Sequence, residues 1–360
     1  MAGVTTRHVK ADEAGMRLDR WFKTHFPELA FGHLQKLLRT GQVRLDGARA
    51  KADTRIEPGQ VVRIPPLQKV EPEPEPRGGI REAGAGRGEA AAVKPARDAA
   101  NAKPISGKRA KDDAEFLRSI TLYEDRDMMV LNKPHGLAVQ GGSGTTRHID
   151  GLLEALRDKD GVKPRLVHRL DKDTAGCLIV AKTRLAASTL AATFRSRSAR
   201  KIYWALVSGV PRVKQGRVST WLAKGEDEYG DQKMQIAKHG DEGADHALTY
   251  YATVETAGQK LAWLSLKPVT GRMHQLRVHT AEIGHPIIGD PKYFNRENWE
   301  LPGGIQQKLH LLARRIVIPH PREKKMVDVS APLPPHMLQS WNLLGFDTSS
   351  YDPIEDAPEK

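Results

Sequence analysis

Apolar and polar positions along this chain fall into helical and strand rhythms separated by turn residues. In Met16-Arg17-Leu18-Asp19-Arg20-Trp21-Phe22 the apolar residues recur at helical spacing, with charged residues on the other face. A second helical pattern covers Phe31 to Leu38, with Leu34, Leu37 and Leu38 inward and Gly41 as the stop. Val43-Arg44-Leu45-Asp46-Gly47 alternates and then turns at Asp-Gly, a hairpin signal. Val61-Val62-Arg63-Ile64 follows the Pro58-Gly59 turn and predicts a closing strand. Residues 15–68 thus predict a small compact α/β module.

Residues 69–112 differ in kind: Glu-Pro repeats near the start, then Gly, Ala, Lys, Arg and Pro, with no aromatic residue. Such a stretch buries too little apolar surface to offset its ordering entropy, so it predicts a disordered linker. Its Pro-rich start favours extended backbone and its Gly-Ala middle flexibility. It reads either as a plain spacer or as a tether that lets the units on either side grip separate parts of one partner.

Residues 113–346 are patterned as one globular domain. Strand-like runs are Ile120 to Tyr123, Met128 to Leu131, Leu178 to Val180, Tyr203 to Val207, Leu248 to Val254 and Leu261 to Leu266. Helical patterns cover Ile149 to Leu156, Arg184 to Phe194 and Met273 to Ile283. The order lacks a regular βαβ repeat, which predicts an α+β fold with a largely antiparallel mixed central sheet. Residues 347–360 predict a flexible tail.

Charge narrows the partners. The 360 residues carry a net charge of +13 and a pI near 9.7, which favours a polyanion, nucleic acid before an anionic membrane surface. No apolar run reaches the roughly 18 residues of a membrane span. Met1 to Lys10 lacks the apolar core of a signal peptide. The single cysteine, Cys177, opens an apolar run and excludes both an internal disulfide and a cysteine-based zinc site. These features fit a reducing cytoplasm.

The chemistry concentrates in His168-Arg169-Leu170-Asp171-Lys172-Asp173-Thr174-Ala175-Gly176, a charged, turn-prone cluster that runs into Cys177-Leu178-Ile179-Val180-Ala181. Gly176 suits a tight backbone bend. Arg169, two residues from Asp171, favours the ionised carboxylate that a nucleophile or charge stabiliser needs. A solvated turn with a surface ion pair is the alternative. These residues resemble the signature of the A family of ribosomal large-subunit pseudouridine synthases, in which Asp171 stands at the catalytic aspartate. Ala175 replaces the serine of many members, a small-for-small change.

Three more segments carry the resemblance. Glu124 to Leu137 resembles the family's opening strand and Lys-Pro-x-Gly turn; Lys133 there reads as a phosphate contact or a turn cap. Arg200-Lys201-Ile202-Tyr203 matches a Lys-x-Tyr whose tyrosine the family places in the active site. Tyr203 would stack on a flipped uracil and relay a proton. Gly271-Arg272-Met273-His274-Gln275-Leu276-Arg277-Val278-His279 matches in full, and by resemblance Arg277 pairs with the catalytic aspartate. His274 and His279 lie apart around a helix without an obvious third ligand, so no metal is expected. Gly284 to Tyr293 and Leu309-His310-Leu311 also look like family segments; Leu309 and Leu311 are expected to line the base pocket or support it.

The order of the front module resembles an S4 RNA-binding domain. Its expected phosphate contacts are Arg17, Arg20, Lys36, Arg39 and Arg44, with Arg169 joining them at the site. With this module the likeness is closest to the C type within that family. The resemblance implies a monomeric isomerase with no cofactor, acting on 23S rRNA after base extrusion. The rivals are tRNA as substrate, a non-catalytic RNA-binding ribosome-assembly protein, and a two-carboxylate glycosidase with Asp173 as second acid.

Overall fold

A computed structural model describes residues 4–26, 29, 31–66, 107–142, 145–226, 232–294 and 303–358. They belong to two compact units, Met1–Ala91 and Ala92–Lys360. The linker expected at 69–112 lies outside the described residues up to position 106.

The front unit contains β1 (Thr5–His8), α1 (Leu18–His25), α2 (Phe31–Arg39), β2 (Arg44–Leu45), β3 (Ala48–Arg49) and β4 (Val61–Ile64). Its four strands run in the order β1-β4-β2-β3. Leu18, Trp21, Phe22, Leu34, Leu37, Leu38, Val43, Val62 and Ile64 form its core, as the apolar spacing predicts. Strand β1 starts the unit ten residues before the expected boundary. Its four residues are all exposed at an edge, so no alternation announces it. A buried carboxylate ties α1 down: Glu13 accepts from Trp21 Nε1 at 2.9 Å and lies 2.6 Å from His25 Nε2.

The main unit begins with α3 (Gly107–Ser119), so residues 107–112 are helical and not linker. Then come β5 (Thr121–Glu124), β6 (Met128–Lys133), α4 (Ile149–Leu152), β7 (Arg165–Leu166), β8 (Ala175–Ala181) and α5 (Arg184–Arg195). Next are β9 (Arg200–Ser208), β10 (Gln215–Glu226), β11 (Gln232–Ala237), β12 (Asp245–Ala257), β13 (Leu261–Pro268) and α6 (Gln275–Glu282). The unit closes with β14 (Leu311–Pro319), β15 (Met326–Ser330) and α7 (Pro335–Leu344). The sheet path is β11-β10-β12-β13-β9-β14-β8-β6-β5, with β15 on β14 and β7 on β8. Every pairing is antiparallel except β14 with β8, which gives the expected α+β mixed sheet.

Alternation sorts the two faces of this sheet. Ile202, Trp204 and Leu206 of β9 join Cys177, Ile179, Trp263 and Trp341 on one side. Ala205 and Val207 join Leu264, Leu266 and Leu276 on the other. On that second side Leu131, Leu178 and Ala313 pack against Leu117, Ile149 and Leu152 of α3 and α4. Tyr203 touches both second-side clusters and stands where they meet.

The described part of the C-terminal segment is packed around residues 352–357, which corrects the flexible tail expected at 347–360, of which the last two residues lie outside the described ones. Ile354 is 1% exposed, and Asp352 Oδ2 accepts from Ser265 Oγ at 2.7 Å and Trp204 Nε1 at 3.1 Å. Its short polar sequence carries no period to betray this.

Close approach of β8 and β14 sets the position of the loop before them. Gly176 pairs with Ala313 and adopts φ +105°, and a β-carbon there would stand 2.3 Å from the Ala313 carbonyl oxygen. Gly176→Ala combines left-handed strain with a backbone clash. It should cost about 2–5 kcal/mol, measured by denaturant unfolding.

Candidate active site

Asp171 opens the turn that feeds β8. The turn is fixed from both ends: Thr174 N donates to Asp171 O at 3.1 Å, and Thr174 is buried. From behind, Lys133 Nζ donates to the carbonyls of Pro134, Leu137 and Lys172 at 3.0, 2.8 and 2.8 Å. Lys133 is wholly buried, and burial lowers its pKa to about 7 against the raising charges of Asp173 and Asp171. Of its two expected roles it therefore takes the turn cap; its three donors face carbonyls and none is left for phosphate.

Helix α6 brings the second cluster. Residues Gln275 to Thr280 are all buried, although four of the six are polar. The sequence solves this by giving each of them a partner: Gln275 and His279 within the sheet, Arg277 at Asp290 and Thr280 on the carbonyls of its own helix. Gln275 accepts from Thr270 Oγ1 and Arg272 N and donates to Leu248 O and Thr249 Oγ1. His279 bridges Thr249 and Thr220, each at 2.9 Å, and burial depresses its pKa to about 4. Gln275 and His279 are thus the fasteners of the helix. Among the described residues no group of three His, Cys, Asp or Glu side chains is arranged to hold a metal ion.

His274 and Arg277 face Asp171. Arg277 is 4% exposed and makes a two-pronged ion pair with fully buried Asp290, both contacts 2.7 Å. Burial opposes its charge, but the Asp290 hydrogen bonds and the charges of Asp290 and Asp171 raise its pKa. Its remaining terminal nitrogen, NH1, lies 4.0 Å from Asp171 Oδ2. His274 Nε2 approaches the same oxygen at 3.9 Å. His274 sits at φ +52°, a left-handed conformation at the start of α6 that aims its ring at the turn. Its Nδ1 is 2.9 Å from Tyr293 Oη, which accepts from Met234 N at 2.8 Å. With Tyr293 donating to Nδ1, the neutral imidazole carries its proton on Nε2, toward Asp171.

The cation beside Asp171 is therefore Arg277, as the resemblance implies, and not its chain neighbour Arg169. Arg169 is exposed and makes no ion pair with Asp171. The cation that approaches Asp171 arrives on a helix, from Arg277. Asp171 keeps 22% of its side chain exposed. Tyr203, half-buried at the junction of the two clusters, has its hydroxyl pKa raised by burial and then by the charge of Asp171. Leu309 and Leu311 are buried with Leu276, Leu264 and Leu266, against Tyr203. They support the floor of the site.

Three of these residues have roles that sequence reasoning misses. By spacing alone His274 reads only as a possible metal ligand, and Asp290 and Tyr293 sit in a family-like segment with no function attached. Asp290 does carry a signal: a carboxylate directly after the apolar run Ile287-Ile288-Gly289 demands a buried cation.

In the front unit the five expected phosphate contacts divide. Arg17 is paired with Asp19 at 2.7 Å, and Arg44 donates to the carbonyls of Gly41 and Gly47. Arg20, Lys36 and Arg39 are exposed and unpaired among the described residues.

Comparison with known proteins agrees with this geometry. Residues 127–282 match the family model described as RNA pseudouridylate synthase. The ribosomal large subunit pseudouridine synthase C of Vibrio cholerae is 34% identical over 339 residues, covering 92% of this chain and 94% of that protein. The mitochondrial RNA pseudouridine synthase 4 of Arabidopsis thaliana is 37% identical over 302 residues, covering 68% of this chain and 63% of that protein. The solved structure of human RNA pseudouridylate synthase domain containing 4 superposes with a TM-score of 0.55 at 28% identity, covering 66% of this chain and 97% of that one. With a large mixed sheet, a chain-long likeness to these enzymes and an aspartate met by arginine and histidine at its centre, this protein belongs to the pseudouridine synthase family.

Proposed function

We propose that the chain isomerises specific uridines of large-subunit (23S) ribosomal RNA, with Asp171 as the catalytic carboxylate. The observation that supports this assignment is the convergence of Arg277 and His274, from a segment a hundred residues away in sequence, on one oxygen of an accessible aspartate beside Tyr203. The rRNA substrate rests on likeness to relatives named as large-subunit synthases over nine-tenths of the chain.

The reaction breaks the N1–C1′ bond of uridine, turns the uracil and joins C5 to C1′. N1 gains a proton and C5 loses one, so atoms balance without a donor or oxidant. A stacked base must first leave the helix of RNA. Asp171 then attacks C1′, removes a 2′ proton or adds to C6; each route starts from an ionised carboxylate with one oxygen free. Arg277 and His274 both approach Oδ2, at 4.0 and 3.9 Å, and so favour the ionised carboxylate, with Oδ1 assigned to the substrate. Tyr203 offers its ring to the base and its hydroxyl to the C5 proton.

The front unit acts as an S4-like clamp on the RNA backbone. Arg20, Lys36 and Arg39 supply its free cations, while Arg17 and Arg44 are engaged within the unit. No helix among the described residues is long and apolar enough to cross a membrane.

Asp171→Asn should abolish pseudouridine formation in a tritium-release assay while leaving RNA affinity intact; near-normal turnover would end the assignment. Asp290→Asn should strand Arg277 with a half-partnered buried charge, costing about 3 kcal/mol in unfolding experiments and lowering kcat. Removal of residues 1–68 should weaken RNA binding and flatten its dependence on salt, since fewer counterions are released. Mapping of rRNA pseudouridines in cells lacking the protein, restored with wild type or Asp171→Ala, identifies the target.

A further inference from the structure

Strand β9 presents a second polar residue beside Tyr203. Alternation sends Ile202, Trp204 and Leu206 into one core and Tyr203, Ala205 and Val207 to the other face. Lys201 shares the Tyr203 face, about 7 Å along the strand. Its ammonium reaches toward the opening of the Gly271–His279 segment: a β-carbon placed on Gly271 would stand 4.0 Å from Lys201 Nζ. Gly271 has no side chain to screen that ammonium, and it is exposed.

What surrounds Lys201 is basic or neutral. The side chain is half-buried, and no hydrogen bond or ion pair holds its ammonium among the described residues. Burial, then the charge of Arg197, pushes its pKa down to about 8, which still leaves it mostly charged at neutral pH. Nearby His168 is no acceptor for it. Its Nε2 already accepts from Ile179 N at 2.8 Å, its ring stacks on Phe194 at 4.4 Å, and burial followed by the Lys201 charge lowers its pKa to about 3. Arg197 is exposed and adds a second positive charge. A partly buried cation with no acceptor destabilises a fold, and a ligand that supplies the acceptor offsets that cost. The other buried cations of this face have partners: Lys133 has three carbonyls, and Arg277 has Asp290 with Asp171 near its remaining nitrogen. Lys201 stands apart from them.

We propose that Lys201 is an anion-binding residue that receives a backbone phosphate of the RNA next to the nucleotide held by Asp171 and Tyr203. The phosphodiester is the anion that this substrate brings, and contacts to it position the strand without reading sequence. The proposal rests on the reading of the Asp171–Tyr203 face as the active site.

The test uses the full-length protein and whichever transcript, rRNA or tRNA, the wild type converts. Lys201→Met should raise Tm without RNA by about 2 °C or more, because an unpartnered charge is gone. It should weaken RNA binding about tenfold and reduce the slope of log Kd against log salt by about 1. Lys201→Arg, which keeps the charge, should restore the slope. Unchanged affinity and slope in Lys201→Met overturn the proposal. So does a fall in Tm in both Lys201→Met and Lys201→Gln, since the lysine would then belong to the scaffold. Asp171→Asn run alongside separates the two readings. If it stays active, the active-site assignment fails; if it is inactive while Lys201→Met binds RNA normally, only the phosphate contact fails.

Discussion

A guanidinium sealed from water must find acceptors for its protons, and Arg277 finds them in Asp290. This buried pair governs the site. Asp290 is itself held by the backbone amides of Lys292 and Tyr293, so its orientation is inherited from the turn that follows it. The two-pronged contact fixes the plane of the guanidinium, and the remaining nitrogen then has one direction left, toward Asp171. The same turn carries Tyr293, whose ring lies 5.1 Å below Arg277 and whose hydroxyl orients His274. One short segment thus steers both groups that meet the proposed catalytic carboxylate.

The polar residues of the helix that carries Arg277 divide their labour. Gln275 and His279 spend their donors and acceptors on β10 and β12, and they make the helix immobile. His274 and Arg277 are then free to act on the turn of β8 from a rigid base. Lys133 does the corresponding work from the opposite side, binding the backbone of the Asp171 turn to that of its own turn. Gly176 completes the arrangement, since β8 and β14 approach too closely there for any β-carbon. The carboxylate is therefore positioned by buried, satisfied groups, while its own surroundings stay open.

Electrostatics separates holding from binding in the same way. Paired cations such as Arg277, Arg17 and Arg44 serve the fold. Unpaired ones, among them Arg20, Lys36 and Arg39 in the front unit and Lys201 in the main unit, include those proposed to meet an RNA backbone. A net charge of +13 does not make this distinction; the partner of each charge does.

Much of this was legible in the chain. Helical spacing located the front-unit core and strand-like apolar runs located β5, β6, β8, β9, β12 and β13 but not β7, β10, β11, β14 or β15, because a local pattern follows from backbone geometry only where the residues are apolar in step. The motif around Asp171 pointed to the chemistry through its resemblance to a known family. Other features left no such trace. Strand β1 is polar throughout and gains its place only by pairing with β4. The C-terminal segment is anchored by Asp352 and Ile354, whose partners lie far away in sequence. Arg169 lies two residues from Asp171 in the chain yet makes no ion pair with it, while Arg277 and His274 reach it from a hundred residues downstream. Composition and local pattern name the groups that can react. Which charge faces which, and which is left for a ligand, depends on side chains brought together by long-range packing, and no local periodicity encodes that.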